Sequence, residues 1–432
     1  MKNTVIVILL LSLVALTVLT WFGDMQPGGA QRQEVLSELF GGIFSGTGDA
    51  ERGLYSGYRE YDYTMSILSP VRAAVRSGGA LSCFTARDAV RELFERTSAL
   101  LADALASADG RNTLSAYQWR QVLRQDLICF DFEGDMPLAM LSAVIGLAET
   151  NVAEQQARAI VLYESGDALI LVIRPREGMP IAYATAVAAG EFDALLGEYG
   201  EGNARFAFED PISAQYLPDE FIVMPNRAVP KVLKRTAPLS DYTGTASERL
   251  IYALLSGFGC NPYTTGAYID SDGTRVYVEE FRTLRITPDG ALSYYAPEPV
   301  DDSVPVTERS AIISSAATML DHLASNYIGD ASIFISRAYY DTDAGRYIIL
   351  FGCAVDGIPL ILEDGYFARL EYVGSSLVGA HMTVAGYIQT ESQEALLPDV
   401  QAAAAAGKSR IFELRYGKHQ DGEYRANWYF VK

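Results

Sequence analysis

The stretch GTRVYVEEFRTLRITPDGALSYYAP, Gly273 to Pro297, decides the architecture. Two runs in it alternate apolar and polar residues, with Leu284 and Ile286 facing one way and Thr283, Arg285 and Thr287 the other. They join at Pro288-Asp289-Gly290, where proline presets one backbone angle and glycine permits a positive φ. Alternation around such a joint predicts antiparallel strands with one buried face, and no reactive group lies in the ribbon.

Working outward, the same grammar recurs. Upstream, SERLIYALLSGF reads as a short helix from Ser247. Downstream, the segment from Thr307 places Ile312, Ala316, Met319, Leu320, Leu323 and Tyr327 on one helical stripe. Runs of β-formers follow to the C-terminus, broken by DTDAG, VDG, VGSS and QDG turns. In the first half, Val90, Leu93, Phe94, Leu100, Leu101, Ala104 and Leu105 make one stripe on a helix from Thr85 to Ala108, with Thr85 and Asp88 as its start signal. A second helix, Leu114 to Gln125, takes Ser115 as cap and turns Trp119, Val122 and Leu123 inward. Next, Ile128, Phe130 and Phe132 share a strand face before a turn through Gly134 and Pro137. From Arg158, three β-runs joined at Ser165-Gly166-Asp167 and at Pro175 to Pro180 read as a meander. A helix laid across an antiparallel sheet buries one stripe and one sheet face, so the expected class is α+β, built as repeated helix-plus-meander modules.

The N-terminus sets the expected compartment. Thr4 to Phe22 is 19 residues without a charge, close to the roughly 20 that cross a bilayer core. Lys2 precedes it and Asp24 follows, which leaves the N-terminus inside and the bulk outside. No small-residue cleavage site follows at Trp21-Phe22-Gly23, so an uncleaved transmembrane signal anchor is expected rather than a removed signal peptide. The expected organisation is a cytoplasmic N-terminus at 1–3, the anchor at 4–22, a Gly-rich linker at 23–53, an α+β region at 54–240 with a second candidate break near 155, and a C-terminal α+β domain at 241–432. Within the anchor, Ser12 and Ala15 share a face and are small enough for close helix approach, which makes them candidate partner contacts.

The 432 residues carry a formal charge of −20, which argues against nucleic acid as a partner. His322, His381 and His419 are scattered, without HExxH spacing, and neither a G-x-S-x-G elbow nor a phosphate-binding glycine loop occurs. Two Asp-rich turns, from Asp270 and from Asp341, imitate calcium loops, but Phe281 and Gly352 stand where a bidentate Glu is needed. No catalytic, metal or cofactor residue is therefore assigned. Cys83, Cys129, Cys260 and Cys353 would permit disulfides in an oxidising compartment, as Cys83 with Cys129 and Cys260 with Cys353. A core of this size does not need staples, which favours small buried thiols. Tyrosine is in excess, with 26. Good β propensity accounts for it, and an interface is the sharper reading, with Tyr294 and Tyr295 as candidate contacts.

The order of elements resembles that of the YycH/YycI family of membrane-anchored regulators. The likeness rests on the single span, SPVRAAVRSGG before a long helix, the Trp119 helix before an aromatic strand, the RVYVEEFRTLRI ribbon and Gly357-Ile358-Pro359. What this resemblance implies is a non-enzymatic accessory role: binding to the WalK (YycG) two-component sensor histidine kinase that controls cell-wall metabolism, with a second member of the family as a further partner. The rival expectation is an anchored extracytoplasmic binding or inhibitor module for a peptide, a wall fragment or a protease.

Overall fold

Strands form where the first half of the chain alternates. The computed structural model describes residues 68–431, apart from 146, 148–149, 200, 240–244, 298–311, 314–315, 318, 321–326 and 407–410. The chain begins with a hairpin of β1 (Arg72–Ser77) and β2 (Ala80–Phe84), then α1 (Arg87–Ser107), β3 (Asp109–Thr113), α2 (Ala116–Val122), β4 (Leu127–Pro137) and α3 (Leu138–Val144). The meander follows as β5 (Gln156–Ser165), β6 (Ala168–Arg174) and β7 (Ile181–Ala188). These strands make one antiparallel seven-stranded sheet in the order β2-β1-β4-β5-β6-β7-β3.

Both faces of this sheet are covered, which is why β5 and β6 read as nearly continuous apolar runs. On one face α1 buries the whole expected stripe, Val90 to Leu105, against Val75, Phe130, Ile160 and Ile173. The helix starts later than expected. Its cap is Ala86, with no side-chain bond, so Thr85 does not act as the start signal. Onto the other face folds α2, where Ser115 Oγ accepts from Gln118 N at 3.3 Å and Gln118 Oε1 accepts from Ser115 N at 2.9 Å, a reciprocal cap. Trp119, Val122 and Leu123 then point inward as read, packing with Ala74, Val161 and Val172.

One expectation for β4 is corrected. The strand does not turn at Gly134 but runs on to Pro137 through a bulge between Asp131 and Met136. Glu133 sits there at φ 63, a left-handed conformation uncommon for a residue with a Cβ. Gly134 is required by a close approach: a Cβ there would lie 2.1 Å from the backbone oxygen of Ile335.

After the meander come α4 (Gly190–Leu196), the short pair β8 (Arg205–Phe206) and β9 (Ile222–Val223), with α5 (Ser213–Tyr216) between them. Next come β10 (Lys231–Thr236), α6 (Thr245–Gly257), β11 (Gly266–Ile269), β12 (Arg275–Glu279), β13 (Arg282–Ile286) and β14 (Ala291–Tyr295). The decisive stretch thus holds three strands, with its additional reversal at Glu280-Phe281, where Glu280 takes φ 52. The rest of the chain gives β15 (Ser332–Asp341), β16 (Arg346–Val355), β17 (Ile358–Pro359), β18 (Ala368–Val373), β19 (Ser376–Thr383), β20 (Gly386–Gln393), α7 (Asp399–Ala406), β21 (Ile411–Lys418) and β22 (Tyr424–Val431).

The nine-stranded sheet runs β11-β12-β13-β14-β19-β18-β16-β15, with β17 beside β16. Leu284, Tyr294, Ala380, Leu370, Ile349 and Ala338 stand opposite one another along it as one row. That row is buried in the core that also takes Leu250 and Leu254 of α6 and the helical residues Ile312, Ile313, Ala316, Ala317 and Leu320. Leu323 of that stripe, and His322, lie outside the described residues. Instead of continuing the module, β20 leaves to form a four-stranded sheet, β20-β10-β22-β21. The 240–241 boundary therefore follows a strand, β10, that pairs with C-terminal strands. Residues 62–432 cluster as one compact unit.

The anchor, the linker, Ser12 and Ala15 lie outside the described residues. Among the described residues no helix is long and apolar enough to cross a membrane.

Candidate functional site

Two features stand out. The first is an edge of the nine-stranded sheet, where β11 has no outer neighbour among the described residues and all its residues are exposed. Register places Tyr268 opposite Val276, and Val278 opposite Thr283 opposite Tyr295, so Tyr268, Val278 and Tyr295 share the outward face. Also exposed in this part of the chain are Tyr263 at 87%, Phe281 at 76%, Ile269 and Tyr252, the rings of Tyr252 and Tyr263 being 6.0 Å apart. An unpaired strand edge flanked by exposed aromatics is what a partner chain can extend or cover.

The second feature is a cavity of about 210 Å³ on the α2 face of the seven-stranded sheet. Its floor follows from strand register. Arg72, Asp131, Ala159 and Arg174 stand in one cross-strand row, and Cys83, Ala74, Cys129, Val161 and Val172 in the next. Trp119 and Leu123 of α2, Phe206, Phe221, Met224 and Arg227 wall one side, and Gly357-Ile358-Pro359 with Glu413 and Leu414 close another.

An ionic cluster holds the floor together. Arg72 donates to Asp131 through Nε at 3.2 Å and Nη2 at 2.7 Å, to Glu133 Oε2 at 2.6 Å, and to the Gly357 carbonyl at 3.3 Å. Arg415 donates to Glu133 Oε1 at 3.3 Å and also to Glu413. The bulge contributes as well, because Glu133 N donates to Asp131 Oδ1 at 2.8 Å. Burial works against an ionised Asp131, but Arg72, Arg158 and that backbone N–H together outweigh it and hold the carboxyl below its ordinary 3.8. Burial wins at Glu133, whose affinity for a proton is raised despite the same arginines. Asp131 therefore contributes stability that is fully present above pH 3.8 and lost as acid titrates through its depressed folded value. Asp131→Asn is expected to be about 2 kcal/mol less stable than the parent at neutral pH, and the gap should shrink in urea titrations carried to pH 3. A gap independent of pH would show that the carboxylate is not held ionised by this cluster.

The cysteines are thiols, not staples. Cys83 and Cys129 both stand opposite Ala74, one on each side of β1. Two inter-strand spacings of about 4.8 Å separate their Cα atoms by roughly 9.6 Å, beyond the ~7 Å a disulfide spans. The pairing considered for them is thereby corrected. All four cysteines are free. Burial pushes the Cys83 thiol up to about 11 and also raises Cys129, Cys260 and Cys353, so at neutral pH none is a thiolate nucleophile.

No family model and no curated protein matches the chain. Among solved structures, YycH from Bacillus subtilis matches with a TM-score of 0.50 at 7% identity, covering 86% of this chain and 95% of that one. The fold is similar to that of YycH. The likeness is one of fold alone.

The residues singled out from sequence scatter over this YycH-like fold. Tyr294 is 6% exposed and stacks on Phe258 with centroids 4.7 Å apart, so it belongs to the core, whereas its neighbour Tyr295 is 58% exposed at the edge. His381 meets the Tyr366 hydroxyl at 3.3 Å through Nδ1, on the outer face and away from the cavity lining. His419 is exposed in the last turn. Among the described residues no group of His, Cys, Asp and Glu is placed to hold a metal ion. Sequence reasoning missed the Arg72–Asp131–Glu133 cluster, Arg158, and the wall residues of 206–227. Three of the four local stretches that carried the resemblance, SPVRAAVRSGG through Arg72, the Trp119 helix and Gly357-Ile358-Pro359, turn out to line the cavity.

Proposed function

We propose that this chain is a non-enzymatic regulatory subunit that acts by binding a protein partner. The observation that carries this reading is the exposed aromatic edge at β11. The chemistry of the cavity supports it, since Asp131, Glu133 and Glu413 are engaged by guanidinium groups and the two thiols there are protonated. In the finer form of the proposal, residues 4–22 anchor the chain with its large C-terminal part outside the cell membrane. The partner is then a WalK (YycG)-type sensor histidine kinase of cell-wall metabolism, with a second YycH/YycI protein as a further partner. Ser12 and Ala15 supply an intramembrane contact and Tyr295 an extracytoplasmic one. A protein without catalytic groups changes a kinase by binding one of its conformations better than another, so its effect is bounded by that difference in affinity.

A photo-crosslinking residue placed at Tyr263 or Tyr268 of the full-length chain in its own cells should capture a membrane sensor kinase. The double variant Tyr268→Lys/Ile269→Lys should lower co-purification of that kinase by about tenfold, equivalent to ~1.4 kcal/mol. Both side chains are exposed, so the melting temperature should stay unchanged. Crosslinks to a wall enzyme or protease would replace the kinase with another partner, and undiminished capture by the double variant would exclude the β11 edge.

A further inference from the structure

Hydrogen-bond donors outnumber acceptors in the cavity. Its lining holds five arginines, Arg72, Arg158, Arg174, Arg176 and Arg227, against the four carboxylates of Asp131, Glu133, Glu220 and Glu413. Each of those carboxylates already accepts from an arginine. The donors are not used up. Arg158 approaches Glu133 at 3.6 Å, Glu413 at 3.7 Å and Asp131 at 3.9 Å, all too long for hydrogen bonds. Trp119, 6% exposed, has its indole Nε1 buried without an acceptor, and Arg227 Nε is in the same position. Buried donors in native proteins find acceptors, so two such groups in the lining of one cavity, beside an Arg158 that is part-exposed and short of a hydrogen bond, point to a ligand that supplies acceptors. Asp399 takes Arg227 and Arg415 joins Glu133 and Glu413, so with these the guanidinium groups still outnumber the carboxylates by one, and in a chain of net charge −20 that local surplus favours an anion.

The rest of the lining fixes the body of that ligand. Leu123, Val161, Phe206, Phe221, Met224 and Ile358 are apolar. An apolar cavity of about 150 Å³ takes a benzene, and this one measures about 210 Å³, room for a ring or a branched aliphatic group with a short acidic arm. Arg176 lines the cavity and is exposed, which marks an opening to solvent.

We propose that this cavity binds a small amphipathic carboxylate, its apolar body against Trp119, Phe221 and Met224 and its carboxylate on Arg158. The ligand is either a free acid or the C-terminal residue of a short peptide, since both present the same group. Binding is read on the purified full-length chain without a partner, so its outcome is independent of the kinase reading. The probes for calorimetry are 3-phenylpropionate, 3-phenylpropanamide, and Gly-Gly-Phe with a free or an amidated C-terminus. Saturable binding of the free acid, with the amide at least about tenfold weaker, is the expected result. Binding of the free-terminus peptide in preference to the small acid would assign the peptide source, and the reverse the free acid. Arg158→Met should abolish binding. Arg158→Lys, which keeps the cluster's charge but not the planar fork, should weaken it, as should Trp119→Phe, which removes only the indole donor. Equal binding of acid and amide, no saturable binding by any probe, or unchanged affinity in folded Arg158→Lys and Trp119→Phe would each overturn the proposal.

Discussion

Arg72→Ala is expected to lower unfolding stability by about 3 to 5 kcal/mol, read as a shift of the urea midpoint. One guanidinium serves Asp131, Glu133 and the Gly357 carbonyl. Without it, Glu133, whose side chain is 6% exposed, keeps only the longer contacts to Arg158 and Arg415. A buried carboxylate stripped of its partner costs far more than the pair contributes, because desolvation is no longer offset. Arg72→Lys should recover less than half of the loss, since an ammonium cannot span two carboxylates and a carbonyl as a planar fork does. A loss under about 1 kcal/mol for alanine would mean that water reaches the cluster and screens it.

Gly134→Ala should cost about 3 kcal/mol or more, at the upper end for adding one carbon. The new Cβ would lie 2.1 Å from Ile335 O and 2.6 Å from Ser336 Cα, and backbone cannot swing aside as a side chain can. The control is Gly78→Ala in the β1–β2 turn, where the Cβ meets nothing within 4 Å and φ is 56. Its cost is the backbone strain alone, about 1 kcal/mol. Chemical denaturation of the two variants side by side separates the effects. If they lose equal stability, β4 and β15 do not approach as closely as the bulge implies.

Residues 68–431 show which features were legible and why. Periodicity revealed the α1 stripe, the capped α2, the β5-β6-β7 meander and the Asp-Gly turns, because a repeat of two or of 3.6 residues and a glycine at a turn are local properties of the chain. The same logic misread Gly134 as a turn. Its neighbour across the close approach lies about two hundred residues away, in β15, and no local rule contains that distance. The alanine run of α7 carried no stripe to read, although Asp399 in it is buried against Arg227 at 3.3 Å.

The candidate sites divide in the same way. The sequence offered no catalytic motif to follow, and its tyrosine excess, which β propensity accounts for, allowed an interface reading without locating one. The sequence by itself determined the class, α+β with antiparallel ribbons, since hydrophobic alternation sets which face of each strand is buried. Only the tertiary structure decided which strand is left at an edge, and that Tyr294 is core while Tyr295 is surface. It alone brought Arg72, Asp131, Arg158 and Glu413 from four distant strands around one cavity. Register and strand order are long-range choices made by the packing of whole faces, and a charged side chain on a strand looks the same in sequence whether its row ends in water or in a closed pocket.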